Sequence, residues 1–179
     1  MAKRLAPPSI HRQIIEEYMR KQLIKFNMPT DSVKLSVDLD NDINTIVEGL
    51  EEVCDKVEIN DKVEEFIKQV TTNDDIIATL ATCAEKLFER NNWGRVIVFI
   101  SFVGQLIVHY VSKSEIECAN LILEWLISYF ETQLDAEGKY VWGALKGIKK
   151  NNNLLICVVA GVILGVALLF SSKMANRYT

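Results

Sequence analysis

The run Leu154 to Phe170, LLICVVAGVILGVALLF, holds seventeen residues without a charge, an amide or a proline. As a helix it rises about 25 Å, close to the roughly 30 Å hydrocarbon core of a bilayer, and Ser171 and Ser172 can complete the span. Lys146, Lys149 and Lys150 before it, and Lys173 and Arg177 after it, carry stems long enough to reach headgroups. With Gly161 and Gly165 inside an all-round apolar segment, lipid suits it better than the core of a water-soluble bundle. Only nine residues follow Phe170, so a ribosome would finish the chain with this segment still in its exit tunnel. The expected arrangement is a tail anchor inserted after synthesis, with the bulk of the protein facing the cytosol. The N-terminus, MAKRLAPPSIHRQ, has no apolar core of the kind a secretory signal needs.

A chain of 179 residues holds one well-buried core. The expected division is a helical domain over 1–150, a membrane segment over 151–172 and a short basic tail over 173–179. Three prolines and eight glycines are too few for a β chain punctuated by many turns, so the class is all-α. All 24 acids precede the apolar run, while two of the 20 bases follow it, so the domain is more acidic than the overall net charge of -4. An acidic domain has no electrostatic reason to bind nucleic acid. Cys54, Cys83, Cys118 and Cys157 are far apart, with no metal-ligand or CxxC spacing, and read as reduced, mostly buried thiols.

Apolar periodicity places a helix over 10–26, carrying Ile10, Ile14, Ile15, Tyr18, Met19 and Phe26 and closed by Met28-Pro29. Residues 30–40 read as a loop. A second helix, capped by Asn41 or Asp42, carries Ile43, Ile46, Leu50, Val53 and Val57. A short third begins at Asn60-Asp61 with Val63, Phe66, Ile67 and Val70, and a fourth, capped within 72–75, carries Ile76, Ile77, Leu80, Cys83, Ala84, Leu87 and Phe88. From Trp93, VIVFISFVGQLIVHYV is apolar on every face for four turns, so this helix must be wrapped by others. A helix over 115–134 follows, ended by Gly138, and 140–148 makes a last amphipathic turn or two. The expectation is seven or eight helices around one apolar helix.

Asn92-Trp93-Gly94-Arg95 opens that apolar helix. Asn92 can cap it, Gly94 lets a second backbone approach, and Arg95 offers a planar fork for a carboxylate or, alternatively, a cap for a neighbouring helix C-terminus. With Lys86-Leu87-Phe88 before it and Phe99 and Phe102 after it, this stretch resembles the first homology region of the Bcl-2 family of apoptosis regulators. The linker from Phe88 to Asn92 is a residue shorter than the family's usual spacing. The second helix is similar to the family's death helix, with apolar ridges at Ile46, Leu50, Val53 and Val57, an aspartate at Asp55, and Cys54 in place of the usual glycine or alanine. Leu123 to Phe130, LEWLISYF, resembles the second homology region. Its usual Gly-Gly-Trp is absent, with Val141-Trp142-Gly143 near its place. Ile14 to Leu23 is loosely similar to the fourth region.

The resemblance implies a Bcl-2-like helical bundle whose hydrophobic groove captures the death helix of pro-apoptotic relatives. Carried over by position, the groove residues are Phe66, Val70, Leu87, Asn92, Trp93, Gly94, Arg95, Ile97, Val98 and Phe102, with Arg95 meeting the ligand's aspartate. It also implies anchoring at the mitochondrial outer membrane, or additionally the endoplasmic reticulum membrane, and homo- or heterodimers. The Phe-rich helix after Arg95 and the recognisable first helix favour a pro-survival guardian. A pore-forming pro-apoptotic effector shares the architecture, and a tail-anchored tether is disfavoured because no helix here has the length of a heptad rod. No enzyme, cofactor or metal is expected. His11 and His109 read as surface or satisfied core residues, Glu51-Glu52 and Asp74-Asp75 as helix-face and cap residues, and no phosphate loop, HExxH or nucleophile elbow occurs.

Overall fold

Six α-helices and one short 3-10 turn follow each other in the computed structural model, which describes residues 7–35, 41–56, 64, 75–88 and 93–148. They are α1 (Ile10–Lys25), α2 (Asn41–Lys56), α3 (Ile76–Phe88), α4 (Trp93–Ser112), α5 (Ile116–Thr132) and α6 (Asp135–Ile148), with the 3-10 turn at Thr30–Ser32 inside the expected loop. The short helix expected around Phe66, the membrane segment and the basic tail lie outside the described residues.

Local chemistry sets the ends of these helices. Ser9 Oγ accepts the Arg12 N–H at 3.1 Å and caps α1. Asn27 closes α1 with φ 55, and the Met28 N–H donates back to Leu23 O at 2.8 Å, the six-residue closure that a left-handed residue permits. Ser114, φ 61, closes α4 in the same way, with Glu115 N–H on Tyr110 O at 2.9 Å. Asp75 caps α3 through a 3.0 Å bond from the Ala78 N–H, as its place in the 72–75 cap segment predicts.

The apolar helix is the core. In α4 every residue from Val96 to Gly104 is buried, followed by Leu106, Ile107, Val108, Tyr110 and Val111. By length and composition α4 is long enough to cross a membrane, but 83% of its apolar window is buried inside the bundle. α1, α2, α3, α5 and α6 all pack on it. Each fully buried Ile, Leu or Phe contributes about 1.5–3 kcal/mol, so this helix is the largest apolar contribution to the fold.

Two departures from expectation concern the C-terminal part. α5 ends at Thr132, and Gly138 lies inside α6 rather than ending the helix before it. α6 is a full 14-residue helix from Asp135 to Ile148, not a turn or two, and it buries Val141, Trp142, Leu145 and Ile148. It lies against α2 so closely that a Cβ at Gly49 would sit 2.7 Å from the Leu145 carbonyl oxygen, a contact only glycine allows.

Candidate functional site

The α3–α4 corner brings together part of the expected groove. Arg95, on the first turn of α4, donates from Nη1 to the carbonyl oxygen of Leu87 at 2.9 Å. Leu87 is in the last turn of α3, where carbonyls lack intrahelical donors, so the guanidinium caps the preceding helix. The capping alternative read from the sequence is therefore present in the structure. Trp93 is half-buried against the core and Gly94 is buried. Leu87, Ile97, Val98 and Phe102 are 3%, 0%, 1% and 2% exposed. A ligand that touched them would have to displace what covers them. Phe66, Val70 and Asn92 lie outside the described residues.

Beside this corner stands an aromatic cluster that helical periodicity alone did not assemble. Phe88 meets Phe99 edge-on at 5.5 Å, Phe99 meets Trp125 edge-on at 6.1 Å, and Trp125 stacks on Tyr129 at 5.3 Å. It fixes α3 and α5 against the same stretch of α4 that carries the groove positions. The spacing of Trp125 and Tyr129, four residues apart on one face of α5, was the available signal.

The death-helix-like segment is α2. Ile46, Leu50 and Val53 point into the core at 4%, 0% and 0% exposure, while Asp55 is exposed and Val57 lies outside the described residues. Acids along α2 are matched by lysines on both flanking helices. Asp55 pairs with Lys25 of α1 at 2.5 Å, Glu51 with Lys21 at 3.4 Å, and Asp42 with Lys146 of α6 at 2.6 Å. Exposed pairs of this kind contribute little individually, but three set the register of α2.

Cys54 is half-buried against the core. Tyr18 Oη donates to Cys54 Sγ at 3.8 Å, and Ser101 bonds to both side chains, so one polar cluster joins α1, α2 and α4 at the edge of the core. Burial first, with Asp55 adding to it, pushes the Cys54 thiol up to about 11, although Ser101, Tyr18 and Lys25 pull the other way. Burial likewise raises the Tyr18 phenol well above its ordinary value. The folded state thus holds the Cys54 proton to higher pH than the unfolded chain, whose thiols ionise near about 8.5. Its contribution to stability is complete below that value and is lost as pH rises toward 11. Native protein at about pH 8 should leave Cys54 unalkylated by iodoacetamide while urea-unfolded protein is modified there. Peptide mass mapping that found equal modification in both states would place the thiol outside the core.

Both histidines are accounted for without catalysis. His11 is 1% exposed and bonded through both ring nitrogens, to Asp135 and Trp142. His109 sits edge-on to Tyr110, its pKa lowered by burial and by Lys113. No group of three or more His, Cys, Asp or Glu side chains that could hold a metal occurs among the described residues.

A family model described as apoptosis regulator proteins, Bcl-2 family, matches residues 50–137, which include both the end of α2 and the α3–α4 corner. Among solved structures, the chain is similar to the crystal structure of Trichoplax adhaerens trBcl-2L2 bound to trBak BH3. The TM-score is 0.64 at 22% identity, covering 75% of this chain and 93% of that one. The two share a fold. No curated protein matches the sequence.

Proposed function

Because the chain belongs to the Bcl-2 family of apoptosis regulators, we propose that it is a pro-survival member that takes the death helix of pro-apoptotic relatives into a groove at the α3–α4 corner. The family regulates by binding and not by catalysis. The observation that carries the reading is the state of α2. Its own apolar ridge is spent on the core, at 4% exposure or less, and is interlocked with α6 at Gly49. A chain that has used its death-helix-like ridge as interior is built to receive such a helix rather than to donate one. That the Trichoplax protein was solved with a trBak BH3 points the same way.

In this reading the incoming amphipathic helix displaces what covers Leu87, Ile97, Val98 and Phe102 and lays its apolar ridges over them, with Phe66 and Val70 opposite, and Trp93 and Gly94 at the corner. Its aspartate meets the Arg95 guanidinium, which the Leu87 carbonyl already orients. Orientation by a helix C-terminus lowers the entropy lost when the carboxylate binds. The segment 151–172 then anchors the 1–150 domain in the mitochondrial outer membrane, the domain facing the cytosol.

Arg95→Ala should weaken binding of a pro-apoptotic death-helix peptide by about 1.5–3 kcal/mol, the range for a charge-assisted hydrogen bond. Losing the α3 cap should lower stability by only about 0.5–1.5 kcal/mol, leaving the bundle folded. Calorimetric titration paired with a thermal melt reads both. Unchanged affinity, or a loss accounted for by unfolding, would leave Arg95 a structural cap and remove the aspartate contact. An effector role has one observation in its favour, the membrane-spanning length of α4. Co-expression with a pore-forming relative separates the two, since a guardian protects the cell and an effector adds to the killing.

A further inference from the structure

We propose that His11 is a proton-sensitive tie between the first helix and α6: a second proton on its ring expels the Trp142 indole and loosens the N-terminal half of α6 from α1. Hydrogen-bond chemistry fixes which nitrogen carries the single proton of the neutral ring. Trp142 Nε1 lies 3.0 Å from His11 Nδ1, and an indole nitrogen only donates. Nδ1 must therefore hold the lone pair, and the one ring proton sits on Nε2, which donates to Asp135 Oδ1 at 3.0 Å. Both partners come from α6 and His11 from α1.

The ring has no room to turn away. A Cβ at Gly138 would lie 2.7 Å from His11 Cε1 and 3.0 Å from Nδ1, so the bare backbone of α6 is in contact with one edge of the imidazole. Phe130 and Trp142 flank it at 6.0 and 6.1 Å between ring centroids, themselves stacked at 5.7 Å. A second proton can only go on Nδ1. There it would face the indole N–H, two donors with no acceptor between them, in a site where both residues are 1% exposed.

The charged groups around the ring determine which of its two partners a protonated His11 keeps. From α6 there are Asp135 and Lys139, paired at 2.7 Å. From α5 there are Glu131, held by the Ser9 hydroxyl, and Glu124, held by Arg12. α1 itself supplies Arg12 and Glu16, which pair with each other. Lys139 first, and then His11, hold the Asp135 carboxyl below its ordinary value, so it remains an anion when the ring becomes a cation. The imidazolium thus keeps Asp135, which is half-exposed and screened by water, and gives up the buried Trp142. Farther along α6, the Gly49–Leu145 contact and the Lys146–Asp42 pair do not involve His11. The opening is confined to Asp135–Trp142.

The test is nuclear magnetic resonance on the whole 179-residue chain, ¹⁵N-labelled and held in detergent, with the Trp142 indole signal assigned by its loss in Trp142→Phe. Acidification from about pH 7.5 to about pH 5 should accelerate solvent exchange of that indole proton, relative to a free indole at the same pH, at least ~tenfold, together with the change of the His11 ring from one proton to two. In His11→Gln the amide can accept from the indole and donate to Asp135 but takes no proton, and the acceleration should be absent. An indole unmoved while the His11 ring shows its second proton, or the same acceleration in His11→Gln, overturns the proposal. Should that variant fail to fold, the ring ¹⁵N shifts of the unaltered protein decide, because any neutral-pH pattern other than the Nε2–H tautomer removes its basis.

Discussion

Trp142→Ala should cost about 3–5 kcal/mol of folding free energy, the range for deleting a large aromatic side chain from a packed core. Trp142 is 1% exposed, and Phe130 stacks on it with the rings inclined by only 19°. Truncation opens a cavity beside Phe130 and also removes the donor to His11 Nδ1, leaving a buried acceptor without its partner. Trp142→Phe retains the stack and loses only the bond, so it should cost about 1–2 kcal/mol. Urea denaturation of both variants gives the two numbers, and their difference separates packing from hydrogen bonding. A loss below about 1 kcal/mol for Trp142→Ala would mean that α6 is not part of the cooperative core.

Trp142 also shows where sequence reasoning stopped. The all-round apolarity of 96–111 could be satisfied only by a wrapped helix, and α4 is that helix. The ridge of α2 was legible for the same reason, since 3.6-residue periodicity reports which face is buried, but that of α1 only in part: Ile14, Ile15, Tyr18 and Met19 are buried, while Ile10 and Phe26 are each 40% exposed and Glu16 and Glu17 are buried. Gly138 was misread because glycine is the commonest helix stop after proline. Its real determinant is His11, whose ring fills the space a side chain would need. Nothing near Gly138 in the sequence announces a partner in α1, just as nothing near Trp142 announces a hydrogen bond to a residue 131 positions away. Arg95 lies on the α3–α4 corner, and both roles considered for it are chemically sound. Only the position of Leu87's carbonyl, fixed by where α3 ends, shows that the cap is made. Local pattern thus gives faces and ends of helices, while pairings across the bundle depend on packing that no local window contains.

Leu50→Ala should lower stability by about 2–5 kcal/mol, and how it does so bears on whether this family member guards or kills. Leu50 is fully buried in the middle of the α2 ridge, one residue from Gly49, where α2 and α6 are in closest contact. A neighbouring backbone held that tightly cannot move in to fill the space left by three lost carbons, so the cost should fall in the upper half of the range. In a guardian the ridge is interior only. The variant should then bind a death-helix peptide with unchanged affinity per folded molecule, and protection should fall only as far as folded protein is lost. In an effector the same ridge must leave the core and engage another molecule, so killing should disappear even where the variant remains folded. Chemical denaturation, peptide titration and a cell-survival assay on one preparation distinguish these outcomes. A cost under about 1 kcal/mol would contradict the burial of α2, and loss of killing with the fold intact would replace the guardian reading with the effector one.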